Sequence, residues 1–230
     1  LHKDGTQATY TMLFDTIQVP SVLWHVLDEA PTIGYIKIKE FTSRTPTELG
    51  SAIQDLRGHQ ITSLVLDLRN NPGGLLDESI KVASAFLDGG PVVYEQTHDE
   101  TKTYTTEGGS LMADLPMVVL INNGTASAAE VVAGALQDRK RATIIGQQSY
   151  GKGSVQLIIA LSDGSSLHVT TAEWLTPNKI SLNGTGLKPD VAMIPDPHGA
   201  DVELGEADGL AVLARLREAS PHAGAVAVVG

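Results

Sequence analysis

Met117-Val118-Val119-Leu120-Ile121 runs directly into Asn122-Asn123-Gly124-Thr125-Ala126-Ser127-Ala128-Ala129-Glu130, and this join decides how the chain folds. The first five residues are an unbroken apolar run, the pattern of a strand buried on both faces. Small, turn-prone residues follow. Ala128, Val131, Val132, Ala135 and Leu136 then recur at helical spacing, with Asp138 near the end. A strand, a tight turn and a helix in this order place Ser127 at a helix N-terminus. Unpaired backbone N–H groups and the positive end of the helix dipole point outward there. A serine so placed has donors for a developing oxyanion beside it and can serve as a nucleophile. The plainer reading is a capping box, Ser127-x-x-Glu130, in which the serine only closes the helix.

The same alternation extends to both sides. Residues 35–41 set Tyr35, Lys37 and Lys39 against Ile36 and Ile38, a strand with one wet face. Thr45, Pro46 and Glu48 read as an N-cap, a proline at the first helical position and a capping-box glutamate. Leu49, Ala52, Ile53 and Leu56 form the core face of that helix, and Gly58 is its C-cap. Residues 61–68 predict a strand buried on both faces, 75–87 a helix, 91–96 and 104–107 strands, and 142–147 a short strand. Residues 154–161 and 166–172 predict a hairpin turning at Asp163-Gly164. Residues 182–190, rich in Gly, Asn and Pro, read as a loop, 204–219 as a last helix and 220–230 as a frayed tail. Strands alternating with helices predict a layered α/β fold.

The opening differs. Asp4-Gly5 is a turn signal, and Ala8, Tyr10, Met12 and Phe14 alternate as in a half-buried strand. These residues read as the closing edge of a domain that lies upstream, or as a simple hairpin. The chain starts at Leu1 without a leader pattern, which predicts a fragment or a processed piece.

Composition narrows the function. A chain of 230 residues can bury a substantial core in one large domain or two small ones. A net charge of −11 argues against a nucleic-acid surface. No apolar run has the length of a transmembrane helix, so stable membrane insertion is not expected. The absence of cysteine removes thiol catalysis, disulfides and cysteine–metal sites.

Several residues could carry chemistry. Lys152, between Gly151 and Gly153, lies in a loop joining two apolar strands. Drawn into a dry pocket, a lysine loses its charge more easily and can take a proton from a serine; the alternative is a solvated loop lysine. Gly146-x4-Gly151-Lys152 begins like a phosphate loop. Gly153 replaces the magnesium-binding hydroxyl, though, and a strand follows where a helix is required. Gln156 lies about 13 Å from Lys152 along a regular strand and meets it only if Gly153 bends the chain. Pro72-Gly73-Gly74 closes a buried strand, where glycine lets an amide approach a ligand; an ordinary turn is the alternative. The seven histidines show no metal-ligand spacing and G-x-S-x-G is absent, although spacing alone does not exclude a triad with one of them. His168, within a strand, reads as structural. Asn123-Gly124-Thr125 and Asn183-Gly184-Thr185 match a glycosylation pattern that is often fortuitous.

Together these pieces resemble the carboxyl-terminal processing, or tail-specific, proteases. The resemblance is carried by residues 66–74, by 123–130 with Ala133-Gly134-Ala135-Leu136-Gln137-Asp138, by Tyr150-Gly151-Lys152-Gly153-Ser154-Val155-Gln156, by Thr176-Pro177 and by Gly186-Leu187-Lys188-Pro189-Asp190. It spans residues 35–190. It implies an α/β core like that of the Clp protease and crotonase folds, with an added β-hairpin region. It implies a serine endopeptidase that cleaves proteins near their C-termini by acyl transfer. Ser127 would be the nucleophile and Lys152 the general base, with Gln156 positioning the lysine. The amides of Gly74 and Ala128 would form the oxyanion hole, with Gly73 the neighbouring candidate, and no metal or cofactor is implied. Its partners would be proteins or peptides with exposed C-terminal tails, in an extracytoplasmic compartment (periplasm or cell envelope), and it admits a homo-oligomer. Thr125 and Ala129 depart from the family, standing where many relatives carry serine, and neither is the nucleophile.

The resemblance also implies a PDZ domain before the core, which captures C-termini by strand addition. Residues 1–20 then read as the remnant of its end, 21–200 as the peptidase core, 201–219 as the C-terminal helix and 220–230 as the tail. Without that domain, recruitment or activation would be impaired. Two rival readings follow: a non-catalytic ligand- or peptide-binding module on the same fold, as in the related retinoid-binding protein of the eye, and a latent protease core.

Overall fold

A computed structural model describes residues 19–28 and 30–193. The expectations for residues 1–18, for the last helix and for the tail lie outside the described residues. So do the two ends of the proposed domain division.

The apolar runs become the strands of one six-stranded sheet, in the order β1-β2-β3-β6-β7-β10. Its members are β1 (Val22–Leu27), β2 (Ala30–Ile38), β3 (Ser63–Asp67), β6 (Met117–Ile121), β7 (Thr143–Gly146) and β10 (Val191–Ala192). Strands β2, β3, β6, β7 and β10 run parallel, and β1 pairs antiparallel with β2. Helices α1 (Thr45–Gly58), α2 (Leu76–Ser84) and α3 (Ala128–Asp138) supply the crossovers that parallel pairing requires. Their apolar faces pack with Ile36, Leu64, Leu66, Val119 and Ile121 in the main core. The alternate residues Tyr35, Val65, Val118, Leu120 and Ile145 form a second buried cluster on the opposite face. Two buried faces are why β6 reads as an unbroken apolar run and β3, apart from Ser63 and Asp67, nearly so.

This second cluster corrects the wet face expected for residues 35–41. Tyr35 is buried and gives its hydroxyl to Asp67 Oδ2 at 2.6 Å, and Lys37 and Lys39 are half-buried. The polar alternation came from a central strand whose tyrosine has a partner. Helix α1 has the expected core face but a different start. Arg44 is the N-cap. Thr45 Oγ1 accepts the Thr42 amide at 2.9 Å, and Glu48 accepts the amides of Ser21 at 2.7 Å and Val22 at 3.0 Å. The glutamate therefore fastens the helix to the first strand instead of closing its own turn. Gly58 is the last helical residue and His59 the C-cap.

A second, antiparallel sheet has the order β5-β4-β9-β8. Its strands are β4 (Pro91–Gln96), β5 (Thr101–Thr105), β8 (Ser154–Ala160) and β9 (Ser166–Leu175). Strands β8 and β9 are the hairpin expected around Asp163-Gly164, with Leu161 and Ser165 closing the turn through a 2.9 Å hydrogen bond. Strands β1 and β10 were not expected. Trp24 and His25 interrupt any clear period in the first, and the second has only two residues.

Candidate active site

Open parallel sheets bind ligands beyond the carboxyl ends of their strands. Three loops leave such ends here: 68–75 after β3, 122–127 after β6 and 147–153 after β7. Hydrogen bonds hold them together. Asn70 and Asn122 exchange bonds, the Asn70 amide donating to Asn122 Oδ1 and Asn122 Nδ2 donating to Asn70 Oδ1, both at 2.9 Å. Buried Thr125 gives its hydroxyl to the Leu68 carbonyl at 2.8 Å and accepts the Tyr150 amide on its own carbonyl at 2.9 Å. The Ala126 amide donates to the Asn71 carbonyl at 2.9 Å.

Ser127 is the N-cap of α3, as expected, but its backbone is not that of an ordinary cap. Its φ of 55° and ψ of −121° lie where a side chain is strained, whereas caps favour the β region. Such strain persists only where the surroundings over-determine it. Here Glu130 does so. This carboxylate is fully buried and accepts the Ser127 amide on Oε2 at 2.8 Å, the glutamate half of the capping-box arrangement. The same Oε2 accepts the Lys152 amide at 2.9 Å, and Oε1 accepts the Gly151 amide at 2.7 Å and the Ser149 hydroxyl. One side chain thus clamps the serine turn to the lysine loop.

The glycine turn packs directly on the serine. A Cβ on Gly73 (φ 105°) would fall 2.8 Å from Ser127 Cβ and 3.0 Å from Ala128 N, so only glycine fits. The Gly73 amide is already engaged by Asn71 Oδ1 at 2.9 Å. Among the described residues no acceptor meets the Gly74 amide, and Ala128, as first residue of α3, has none within its helix. Of the candidate donors, these two are the ones left open. The turn is braced from below by Asp67, fully buried, which receives Tyr35 and a two-pronged bond from Arg69 (Nη2–Oδ2 2.7 Å, Nε–Oδ1 3.0 Å). Burial opposes the Arg69 charge, but Asp67 outweighs it and raises the guanidinium above its usual value.

Of the two readings of Lys152, the solvated one describes its side chain. Its backbone is fixed, but its side chain is exposed and no dry pocket encloses it. The reason lies in its neighbours. Gly151 and Gly153 are buried against the 182–186 loop, with the Gly184 amide on the Gly151 carbonyl at 2.9 Å. With the backbone pressed inward on both sides, the side chain points out. Gln156 is also exposed, and its Oε1 faces His168 Nδ1 at 3.4 Å instead of the lysine. His168, expected to be structural, is a surface residue. Among the described residues no cluster of side chains has the make-up of a metal site. Sequence reasoning missed the clamp, because Glu130 gives a capping signal and its other donors lie nineteen to twenty-two positions away.

Comparison with known proteins agrees with this architecture. Residues 32–193 match the model of peptidase family S41. The carboxy-terminal-processing protease of Bartonella bacilliformis is 41% identical over 94% of this chain and 51% of its own length. The carboxyl-terminal-processing protease of Synechocystis is 38% identical over 79% of this chain and 43% of its own. The chain thus spans about half, or less, of these relatives' length. Among solved structures, the photosystem II D1 C-terminal processing protease aligns with a TM-score of 0.71 and 34% identity, over 79% of this chain and 50% of that one. The tricorn protease shares the fold alone, with a TM-score of 0.54 and 16% identity over 82% of this chain and 18% of that one. The layered Clp protease-like α/β core expected from the sequence is the fold these proteins share.

Proposed function

The chain belongs to peptidase family S41, and from that membership we propose that it is the core of a serine endopeptidase that cleaves polypeptides near their C-termini. Ser127 Oγ attacks the scissile carbonyl. The Lys152 amine takes the proton and returns it to the leaving amine, and Gln156 orients the lysine. The open amides of Gly74 and Ala128 hold the tetrahedral oxyanion. The observation that carries this reading is the strained Ser127 backbone, clamped by the same carboxylate that holds the Lys152 amide. A cap needs no such strain, and a binding module needs no such clamp. The substrates would be proteins with exposed C-terminal tails, met outside the cytoplasm; a net charge of −11 disfavours nucleic acid.

The exposed Lys152 and the Gln156–His168 contact favour a second reading, in which this arrangement is the resting form of the core. Lys152 and Gln156 would then turn inward when substrate or an upstream PDZ domain engages. The test follows the mass of an unstructured protein with an apolar C-terminus. Cleavage by the parent chain and by neither Ser127→Ala nor Lys152→Ala supports the dyad. Cleavage by the Ser127→Ala chain overturns it. Cleavage that appears only when an upstream PDZ domain is attached selects the resting form.

A further inference from the structure

Strand β8 is an outer strand of the second sheet, and among the described residues its outer edge pairs with nothing. Such an edge is a hazard that proteins blunt with charge, proline or a short strand. The other edge of this sheet is guarded: β5 has five residues and carries Lys102. Strand β8 has seven residues, Ser-Val-Gln-Leu-Ile-Ile-Ala, with neither charge nor proline. From residue 154 to residue 172 the single formal charge is Asp163, at the tip of the turn, in a chain of net charge −11.

One face of the β8–β9 ribbon is apolar and exposed. Leu157 stands opposite Val169 and Ile159 opposite Leu167, and Leu161 continues the row. Their exposures run from 39% for Val169 to 53% for Leu157. The other face carries Gln156, Ser166, His168 and Thr170 around Ala160 and an exposed Ile158, and is mostly polar. A two-stranded ribbon is marginal in water by itself, and an apolar face on it gains by being covered.

We propose that β8 is a strand-addition site for the substrate. An extended, uncharged, apolar segment of the polypeptide pairs with its outer edge, and alternate side chains of that segment pack beside the row from Leu157 to Leu161 on the same face. The choice of occupant comes from continuity. Strand β8 begins two residues after Lys152 and leads away from it for about 23 Å. A chain laid along it is delivered to the serine turn by main-chain bonds, which read no sequence, and by apolar contacts, which exclude charged segments. This inference rests on the protease reading given above.

The test measures binding apart from cleavage. The Ser127→Ala chain is titrated into a short, labelled, uncharged apolar peptide with a free C-terminus, followed by fluorescence anisotropy. The expected result is binding that falls at least about tenfold in the Leu157→Lys/Ile159→Lys variant. A peptide N-methylated at alternate residues, offered to the unaltered edge, should lose as much; this arm is free of any folding defect in the variant. Equal affinity for the variant, or for the N-methylated peptide, overturns the proposal. So does a sedimenting dimer that the lysine pair dissolves, because a second copy would then own the edge. Undiminished cleavage by the lysine variant in the Ser127 background removes strand addition and leaves the protease reading. Binding without cleavage by the parent does the reverse.

Discussion

Ser127 and Lys152 donate their backbone N–H groups to one atom, Glu130 Oε2, at 2.8 and 2.9 Å. Two loops from different strand ends are thereby held in fixed relation by a buried charge with four donors around it. Glu130→Gln offers a single acceptor oxygen and brings an NH2 group toward amides that also donate. A displacement of about 1 Å in such a site costs on the order of 100-fold in rate. We expect kcat to fall by about that factor, with a folded protein by circular dichroism. Glu130→Ala leaves the donors unpaired and should cost about 3–5 kcal/mol in a urea melt.

The strain at Ser127 has its own signature. A φ of 55° suits glycine and not alanine. Ser127→Gly and Ser127→Ala should both abolish cleavage. The glycine variant should be the more stable of the two by about 1 kcal/mol in thermal or denaturant melts. Equal stabilities would mean that the turn relaxes at no cost.

Much of this architecture was legible from the residues. The run Met117–Ile121 is unbroken and apolar and has the expected bounds, while the helix Ala128–Asp138 keeps a clean helical period and ends at the Asp138 read as near its end. The core face of α1 and the Asp163-Gly164 hairpin were equally plain. What escaped depends on distant partners. Nothing near Glu48 signals that it will bind Ser21, twenty-seven residues earlier. For Lys152 the flanking glycines left a dry pocket and a solvated loop both open; those glycines pack inward and leave the lysine outside.

Glu48 gives a pH dependence with a definite sign. Its partial burial disfavours the charge, but bonds from the Ser21 hydroxyl and the Val22 and Ser21 amides outweigh this and lower its pKa below the ordinary 4.5. A carboxyl with a depressed folded-state pKa contributes stability above its unfolded value, and that contribution is lost as pH falls through the folded value. Glu48→Gln should therefore destabilise by about 1–2 kcal/mol at neutral pH. The gap between parent and variant should close as pH falls through the depressed folded-state value. Urea melts across that range measure it.

Gly74 tests the glycine turn. Its φ is 136°, and a Cβ there would run into the Phe41 carbonyl oxygen. Phe41 is itself tied to both neighbours, its amide on the Gly73 carbonyl at 2.8 Å and its carbonyl receiving the Leu75 amide at 2.9 Å. Gly74→Ala must therefore move backbone, not a flexible side chain. We expect a loss of about 2–3 kcal/mol, together with a fall in kcat as the open Gly74 amide shifts. Stability close to the parent's would show that the turn has slack.

Lys152 separates chemistry from structure. Its amide is held by Glu130, but its side chain is exposed, so truncating it removes no packing. Lys152→Ala should melt within about 0.5 kcal/mol of the parent while cleavage is lost. Lys152→Arg keeps length and charge, but a guanidinium does not give up its proton and cannot act as base. Arginine should therefore fail to rescue cleavage. If it did rescue, the lysine would be acting through its charge and not as a base. Mass spectrometry of an unstructured substrate reads cleavage for both variants, and a urea melt of each confirms that the fold is kept.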